Sequence, residues 1–178
     1  MNFTNDNNSL KGLAKRSSFD NNIFEKIIKK ENSNNILFCE DADVSFSLIK
    51  NILSKIKYKV TQVKDEMDAY NLIINNYNPE YIDIDRDMFC LIIMDLNISR
   101  NIKCFGYKIL QKMKEDNIYI PTIIYYGQDD IETITKCMRI SPIVKDFFSK
   151  NNQDSKETER FLTSVEKEIT LFKDGKIE

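Results

Sequence analysis

The stretch that decides the fold is FCLIIMDLN, residues 89–97, a run of apolar side chains that stops on the carboxylate of Asp95. A run this short is typical of a β-strand that is buried on both faces, because a helix or a membrane span needs more residues. Asp95 is therefore expected at the carboxyl end of that strand. In open parallel α/β sheets, ligands bind at that end of the strands.

Four further short apolar runs alternate with segments of helical periodicity. The five predicted strands are Ile36–Cys39, Lys59–Val63, Phe89–Met94, Ile120–Tyr126 and Pro142–Lys145. A final helix is predicted from about Asp154 to Lys173, with Gly175 as its stop signal. The order βα repeated five times predicts one parallel sheet with right-handed crossovers and helices on both faces.

Domain organisation follows from where this pattern begins and ends. Residues 1–34 form a polar, Asn-rich extension, in which one apolar cluster at Ile23–Ile28 predicts a short amphipathic helix. A loosely attached extension is the more economical interpretation of that helix, and a docking helix is the alternative. The globular domain is expected over residues 35–173. Only a polar tail, residues 174–178, follows it, so we expect no downstream output domain.

Composition excludes several functions. The 178 residues include 26 basic and 28 acidic side chains, and the resulting formal charge of −2 gives no electrostatic case for nucleic acid. Histidine is absent, which excludes Ser-His-Asp and Cys-His catalysis, histidine-bound metals and an internal phosphohistidine. The four cysteines lack C-x-x-C spacing, so we expect them to be reduced and mostly buried. With no leader or membrane-spanning stretch, the chain is predicted to be soluble, cytoplasmic and not inserted in a membrane.

Charged residues follow the predicted strands at one edge of the sheet. Glu40 and Asp41 follow the first strand, Asp95 ends the third, Tyr126 ends the fourth and Lys145 ends the fifth. Clustered carboxylates repel one another, so a divalent cation is their natural neutraliser, and ligands that are all oxygen favour Mg²⁺. A carboxylate beside Mg²⁺ and a lysine is equipped to attack a phosphoryl group.

The acidic pair in ILFCEDAD, Asp95 in LIIMDLN, Gly106 in FGYKIL, Pro121 in IPTIIYYG and Lys145 in IVKDF occur together in one order. With these motifs, the chain resembles a response regulator receiver domain of two-component signalling from Asn35 to about Phe172. The resemblance implies a flavodoxin-like (βα)5 fold, a doubly wound parallel five-stranded sheet in three layers.

The resemblance also implies the roles of the residues. Asp95 would accept a phosphoryl group from the phosphohistidine of a histidine kinase or histidine phosphotransfer protein, and the chain would then signal to a downstream effector protein. Asp41, Asp95 and the backbone carbonyl of Asn97 would hold Mg²⁺, and Glu40 would act on the ion through water. Lys145 would grip the phosphoryl group. On this interpretation the chain is a signalling protein and not an enzyme.

Three positions depart from the family pattern. Tyr126 stands where receivers have a threonine or serine, and Pro142 stands at the aromatic position three residues before the lysine. Asp146 follows Lys145 where receivers have a cis-proline, and a cis bond before a residue other than proline costs ~3 kcal/mol. These departures keep a second hypothesis open, in which a degenerate receiver acts as a docking module without phosphorylation.

Alternatives also exist for the individual site residues. A phosphatase is disfavoured because Asn97, two residues after the nucleophile, cannot transfer protons. Asp95 could merely cap a turn, and Lys145 could be a solvated lysine at a strand end. Glu40 and Asp41 could be ordinary acids at a helix N-terminus, although Asp43 is the better capping candidate there.

Overall fold

The computed structural model describes residues 34–75, 89–98, 105–127, 131–140, 142–152 and 154–176. The predicted helix at Ile23–Ile28 and Cys104 lie outside these residues, and their predictions remain untested.

The described strands form a single five-stranded sheet. The strands are β1 (Asn35–Cys39), β2 (Lys59–Val63), β3 (Phe89–Asp95), β4 (Thr122–Tyr126) and β5 (Val144–Ser149). Their order is β2-β1-β3-β4-β5, and every neighbouring pair is parallel. The predicted parallel sheet is therefore confirmed, with β3 at its centre and buried at every residue.

Five described helices connect the strands. They are α1 (Asp43–Leu53), α2 (Glu66–Tyr70, followed by a π-helical turn at Asn71–Asn75), α3 (Phe105–Glu115), α4 (Ile131–Cys137) and α5 (Ser155–Lys173). Helix α1 packs against α5, whereas α2 packs against α3 and α3 against α4. The two groups cover the two faces of the sheet, which completes the predicted three-layer α/β architecture. Within the described ranges, no helix is both long and apolar enough to cross a membrane.

The N-termini of α5 and α1 differ in how they are capped. Asp154 caps α5, since its carboxylate accepts a hydrogen bond from the Glu157 N–H at 2.8 Å. The prediction that Asp43 caps α1 was wrong. The N-cap is Ala42, and Asp43 lies in the first helical turn, where its carboxylate contacts Lys64 Nζ at 2.6 Å. Glu40 and Asp41 precede the N-cap and lie outside α1.

The largest difference from the sequence prediction concerns the fifth strand. Pro142 lies in a turn, and β5 begins at Val144 and continues through Phe147 and Phe148 to Ser149. Lys145 is therefore the second residue of the strand instead of its last residue. The physical reason is pairing: Thr122 to Tyr126 of β4 hold β5 in register up to Ser149, and this ladder places the strand several residues later than Pro142 suggested.

Candidate functional site

Strand register brings acidic residues together at the carboxyl edge of the sheet. Cys39, the last residue of β1, pairs with Met94 of β3. Glu40 and Asp95 are the next residues of their chains, so they lie side by side at the same level of these two neighbouring strands. Both residues are almost fully buried, with 1% and 3% of their surfaces exposed. Asp41 is half-buried beside them. Carboxylate oxygens of Glu40, Asp41 and Asp95 all lie within 4.8 Å of one another.

Lys150 supplies a cation to this acidic cluster. Its ammonium Nζ lies 2.8 Å from Glu40 Oε2 and 3.0 Å from Asp95 Oδ2, and a quarter of its side chain is exposed. The backbone fixes where this side chain starts, because the Lys150 N–H donates to the Tyr126 carbonyl at 2.8 Å, one step beyond the last residue of β5. Lys150 is therefore the lysine that the sheet delivers to Asp95.

The assignment of Lys145 to this site is corrected by the same geometry. Lys145 lines a small cavity with Tyr119, Pro121 and Glu168, near the amino ends of β4 and β5. Pro142 lies in the turn before β5, at that same end. The position three residues before Lys150 is Phe147, and the residue after Lys150 is Asn151. The departure at Pro142 thus followed from counting from the wrong lysine, whereas the departure after the lysine moves from Asp146 to Asn151, which is also not a proline.

Sequence reasoning missed Lys150 because it ended the fifth strand too early. The apolar pair Phe147-Phe148 was the available signal, since a β-strand that runs through it ends directly before Lys150. A proline is also disfavoured inside a paired strand, which argues for a strand that begins after Pro142.

The loop ends around the acidic cluster are held by hydrogen bonds. The Ala42 N–H donates to Glu40 Oε1 and the Asn97 N–H donates to Asp95 Oδ1, both at 3.1 Å. Gln62 of β2 donates its side-chain amide to the Glu40 carbonyl at 2.9 Å. The carboxylates of Glu40 and Asp95 are thus each oriented by the backbone N–H of the residue two positions later in the chain. Asn97 itself has an exposed side chain, so the backbone carries its contact to the site.

Gly106 explains how close α3 approaches the site. A Cβ atom on Gly106 would lie 2.4 Å from the Asp95 carbonyl oxygen and 3.0 Å from Leu96 Cα. Both are backbone atoms of the β3 end and cannot move aside cheaply. The Gly106 N–H also donates to the Leu96 carbonyl at 3.2 Å. Only glycine fits at this position, which gives a physical reason for the glycine in the FGYKIL motif.

Burial and charge shift the pKa values of the site residues. Burial raises the pKa of Glu40, and the Asp95 charge raises it further, while contacts with Lys150 and the Ala42 N–H offset part of the rise. For Lys150, burial would lower the pKa, but Asp95 and Glu40 outweigh burial and the net direction is upward. Burial, with the charge of Asp95, also raises the pKa of the neighbouring Cys39 thiol. The Lys150 ammonium thus contacts two of the three carboxylates of the cluster, those of Glu40 and Asp95.

The donor set fits a divalent cation. Glu40 Oε2 is buried, and it forms an ion pair with the Lys150 ammonium at 2.8 Å. Three carboxylates from two adjacent strand ends offer oxygen ligands only, the type that Mg²⁺ prefers. A hard cation would neutralise the repulsion between Glu40 and Asp95, which adds to the effect of burial on the pKa of Glu40.

Tyr126 ends β4 as predicted and is half-buried. The predicted state of the cysteines is confirmed for the three that are described, since Cys39, Cys90 and Cys137 are buried and form no disulfide. Burial raises the pKa of Cys90 to about 11. These thiols contribute to the core and do not join the acidic cluster as ligands.

No protein-family model matches the chain. Among curated proteins, the chain is 30% identical over 105 residues to the two-component response regulator-like protein APRR1 of Arabidopsis thaliana. That match covers 59% of this chain and 15% of APRR1, so the chain spans only a small part of the length of this relative.

Solved structures match more of the chain. The receiver domain of NtrX from Brucella abortus aligns with a TM-score of 0.57 at 19% identity, covering 76% of this chain and 98% of that one. A response regulator receiver protein from Pseudoalteromonas atlantica aligns with a TM-score of 0.60 at 16% identity, covering 76% and 97%. The chain therefore has the α/β fold of response regulator receivers. Together with the sequence match to a response regulator-like protein, this fold confirms the predicted resemblance to a receiver domain.

Proposed function

We propose that this chain is a phosphoacceptor of two-component signalling and that Asp95 receives a phosphoryl group from a partner's phosphohistidine. One observation carries the proposal. A buried carboxylate at the carboxyl end of β3 lies within 4.8 Å of the carboxylates of Glu40 and Asp41 and 3.0 Å from an ammonium. A nucleophile, a set of oxygen ligands and a cation are thus assembled at one edge of the sheet.

In the proposed reaction, a carboxylate oxygen of Asp95 attacks the phosphorus atom. The phosphorus–nitrogen bond of the donor breaks, and its electron pair returns to the imidazole ring, whose other nitrogen carries the proton. The product is an acyl phosphate on Asp95. Lys150 remains protonated throughout, since its neighbours hold its pKa above the ordinary value against the effect of burial. Its ammonium balances charge on the equatorial phosphoryl oxygens.

Glu40, Asp41 and Asp95 would hold Mg²⁺, and the resemblance adds the backbone carbonyl of Asn97. When bound, the ion supplies positive charge to the phosphoryl oxygens. The protein's own contribution is to orient these groups, through the Ala42 and Asn97 N–H donors and through the contact of Gly106 with the end of β3. Phosphorylation of Asp95 would change the affinity of the chain for a downstream effector, and the chain would work in this way as a signalling protein.

A docking module that works without phosphorylation is the competing function. Its support has weakened, because Phe147 places an aromatic residue three positions before Lys150. Two departures remain: Tyr126 stands in place of the threonine or serine of receivers, and Asn151 stands in place of the proline after the lysine. The phosphoacceptor therefore has the better support.

The test is incubation of the full chain with acetyl phosphate and Mg²⁺, followed by measurement of the intact mass. We expect one added phosphate on the wild type and none on Asp95→Asn. Asp146→Asn is the matched control, since Asp146 is an acid of β5 that pairs with Arg160 and does not contact the cluster. If neither acetyl phosphate nor a phosphorylated histidine phosphotransfer protein adds phosphate to the folded wild type, the phosphoacceptor proposal is wrong and the docking module takes its place.

A further inference from the structure

Lys150 reaches Asp95 by crossing an intervening strand. Lys150 follows β5, Asp95 ends β3, and β4 lies between them. Strands in a sheet are spaced by ~4.8 Å, so the lysine side chain spans about two such steps. The β4 residue at this level is Tyr125, which pairs with Asp95 on one side and with Phe148 on the other. The Lys150 ammonium lies 5.1 Å from the centre of the Tyr125 ring.

The ring of Tyr125 is itself held in place. Tyr125 is 1% exposed. Phe38 of β1 meets its ring edge-on, with centroids 5.5 Å apart and an interplanar angle of 74°. Phe148 of β5 stacks on its other side at 6.0 Å, and Phe161 of α5 supports Phe148 at 4.2 Å. The ring is therefore a rigid surface between the start and the end of the lysine's path.

We propose that Tyr125 is a positioning residue of this site, whose ring face holds the Lys150 ammonium over β4 and directs it at Asp95. Aromatic faces carry partial negative charge and attract ammonium groups within about 6 Å of the ring centre. A lysine side chain has several rotatable bonds and adopts many conformations when it lacks fixed contacts. The ring contact removes conformations that lead to water, so the ammonium stays at the carboxylates before a phosphoryl group arrives. The inference rests on the proposed role of Asp95.

A purely packing role for Tyr125 leads to different expectations. A core-filling residue is replaceable by an aliphatic side chain at a cost in stability alone. A positioning ring instead acts through the electrons of its face, so its effect depends on the charge of the ring at constant shape. The two roles are therefore separable by altering the ring without altering its volume.

The experiment measures the rate of phosphorylation of the full chain by acetyl phosphate at saturating Mg²⁺. Position 125 carries tyrosine, phenylalanine, phenylalanine with increasing numbers of ring fluorines, or leucine. We expect Tyr125→Phe to retain most of the rate, the fluorinated rings to lose it progressively, and Tyr125→Leu to lose about three- to tenfold, as expected for one cation–π contact. Equal rates across the fluorinated series would overturn the proposal. A Tyr125→Phe variant as slow as Tyr125→Leu would also overturn it, because the hydroxyl would then be responsible.

Phe161→Leu is the matched control for stability. Phe161 is buried and belongs to the same aromatic stack, but it supports Phe148 and does not contact the lysine. We expect this variant to lower the unfolding temperature and to keep the phosphorylation rate of the folded protein. If Phe161→Leu slows phosphorylation as much as Tyr125→Leu does, the effect is one of packing and the positioning role is wrong.

A spectroscopic readout separates this proposal from the proposed function. We expect the ring current of Tyr125 to shift the NMR signals of the Lys150 side chain upfield, and Lys150→Met would identify those signals by their loss. The upfield shift should remain in Tyr125→Phe and disappear in Tyr125→Leu, with no phosphodonor present. Its absence from the wild type would overturn the positioning role. Its presence in a wild type that takes up no phosphate would show that the phosphoacceptor function has failed while the ring contact stands.

Discussion

Lys145 and Lys150 lie near opposite ends of the same strand, β5. Lys145 is the second residue of β5 and lines a small cavity with Tyr119 and Glu168. Lys150 comes directly after β5 and contacts the carboxylates of Glu40 and Asp95. The residue type is the same. The difference teaches that the chemistry of a lysine in a parallel sheet depends on which strand end it follows, because only the carboxyl ends converge on the ligand edge.

The largest effect is expected when each of the two lysines is replaced by methionine. Lys150→Met should slow phosphorylation by acetyl phosphate about a hundredfold, because it removes the cation that faces the transferring group. Lys145→Met should leave the rate near that of the wild type, because Lys145 lies at the other edge. The rates are measured by intact mass on variants whose circular dichroism shows them to be folded. A slow Lys145→Met beside an active Lys150→Met would reverse the assignment.

The next largest effect is expected from alanine substitutions at two backbone-restricted positions, Gly106 and Asn117. Gly106→Ala at the carboxyl edge should reduce the free energy of unfolding by about 3 kcal/mol, because its Cβ would meet backbone atoms of β3. Asn117, in the loop before β4, has a φ of 56°. Asn117→Ala should cost only about 1 kcal/mol, the strain of a left-handed residue. Urea unfolding measures both losses, and equal losses would contradict the tight contact at Gly106.

Glu40, a buried carboxylate of the acidic cluster, is expected to make the stability of the chain depend on pH. Burial, reinforced by Asp95, raises its pKa in the folded state. The folded chain therefore binds this proton more tightly than the unfolded chain, so Glu40 lowers stability as the pH rises through the unfolded and then the folded pKa. Without Mg²⁺ at pH 7, we expect Glu40→Gln to stabilise the chain by about 1 kcal/mol, with the gain vanishing below the unfolded pKa. Thermal unfolding across pH checks this sign.

The matched control is Glu168→Gln, at the edge that Lys145 occupies. Glu168 is also buried, and its carboxylate contacts Lys167 at 3.2 Å. We expect no gain in stability from this change, since it removes an ion pair and relieves no cluster of carboxylates. Mg²⁺ should stabilise the wild type more than it stabilises Glu40→Gln. A wild type that Mg²⁺ leaves unchanged would argue against the acidic cluster as a cation site.

The smallest expected effect concerns the segment between the two lysines. Arg160 of α5 contacts both carboxylate oxygens of Asp146, at 2.9 and 2.7 Å, and donates to the Phe147 carbonyl at 2.7 Å. Arg160→Lys should cost about 1 kcal/mol, because lysine lacks the planar fork and the pair is partly screened by solvent. Disrupting the pair Lys136–Glu132 with Lys136→Met should cost less, because solvent screens an ion pair whose side chains are this exposed. Chemical unfolding at low and high salt ranks the two.

Much of the fold was predictable because its signals are local. Strand β2 has the predicted bounds, β3 ends one residue later than predicted, and α5 begins after its Asp154 cap. The fifth strand was the failure. The segment offers two short apolar groups, Pro142-Ile143-Val144 and Phe147-Phe148, and pairing with β4 places the strand over Val144–Ser149. Local signals favoured the later strand, but its bounds depend on that pairing.

The sequence by itself determined the order of the strands and helices, the buried character of β3 and the carboxylates that follow β1 and end β3. These properties depend on hydrophobic periodicity and on residue type, which the chain carries locally. The tertiary structure alone decided which lysine joins Asp95, why residue 106 must be glycine, and that Tyr125 lies beneath the ammonium. Each of these depends on register between strands distant in sequence, and register is set by pairing and packing across the whole sheet.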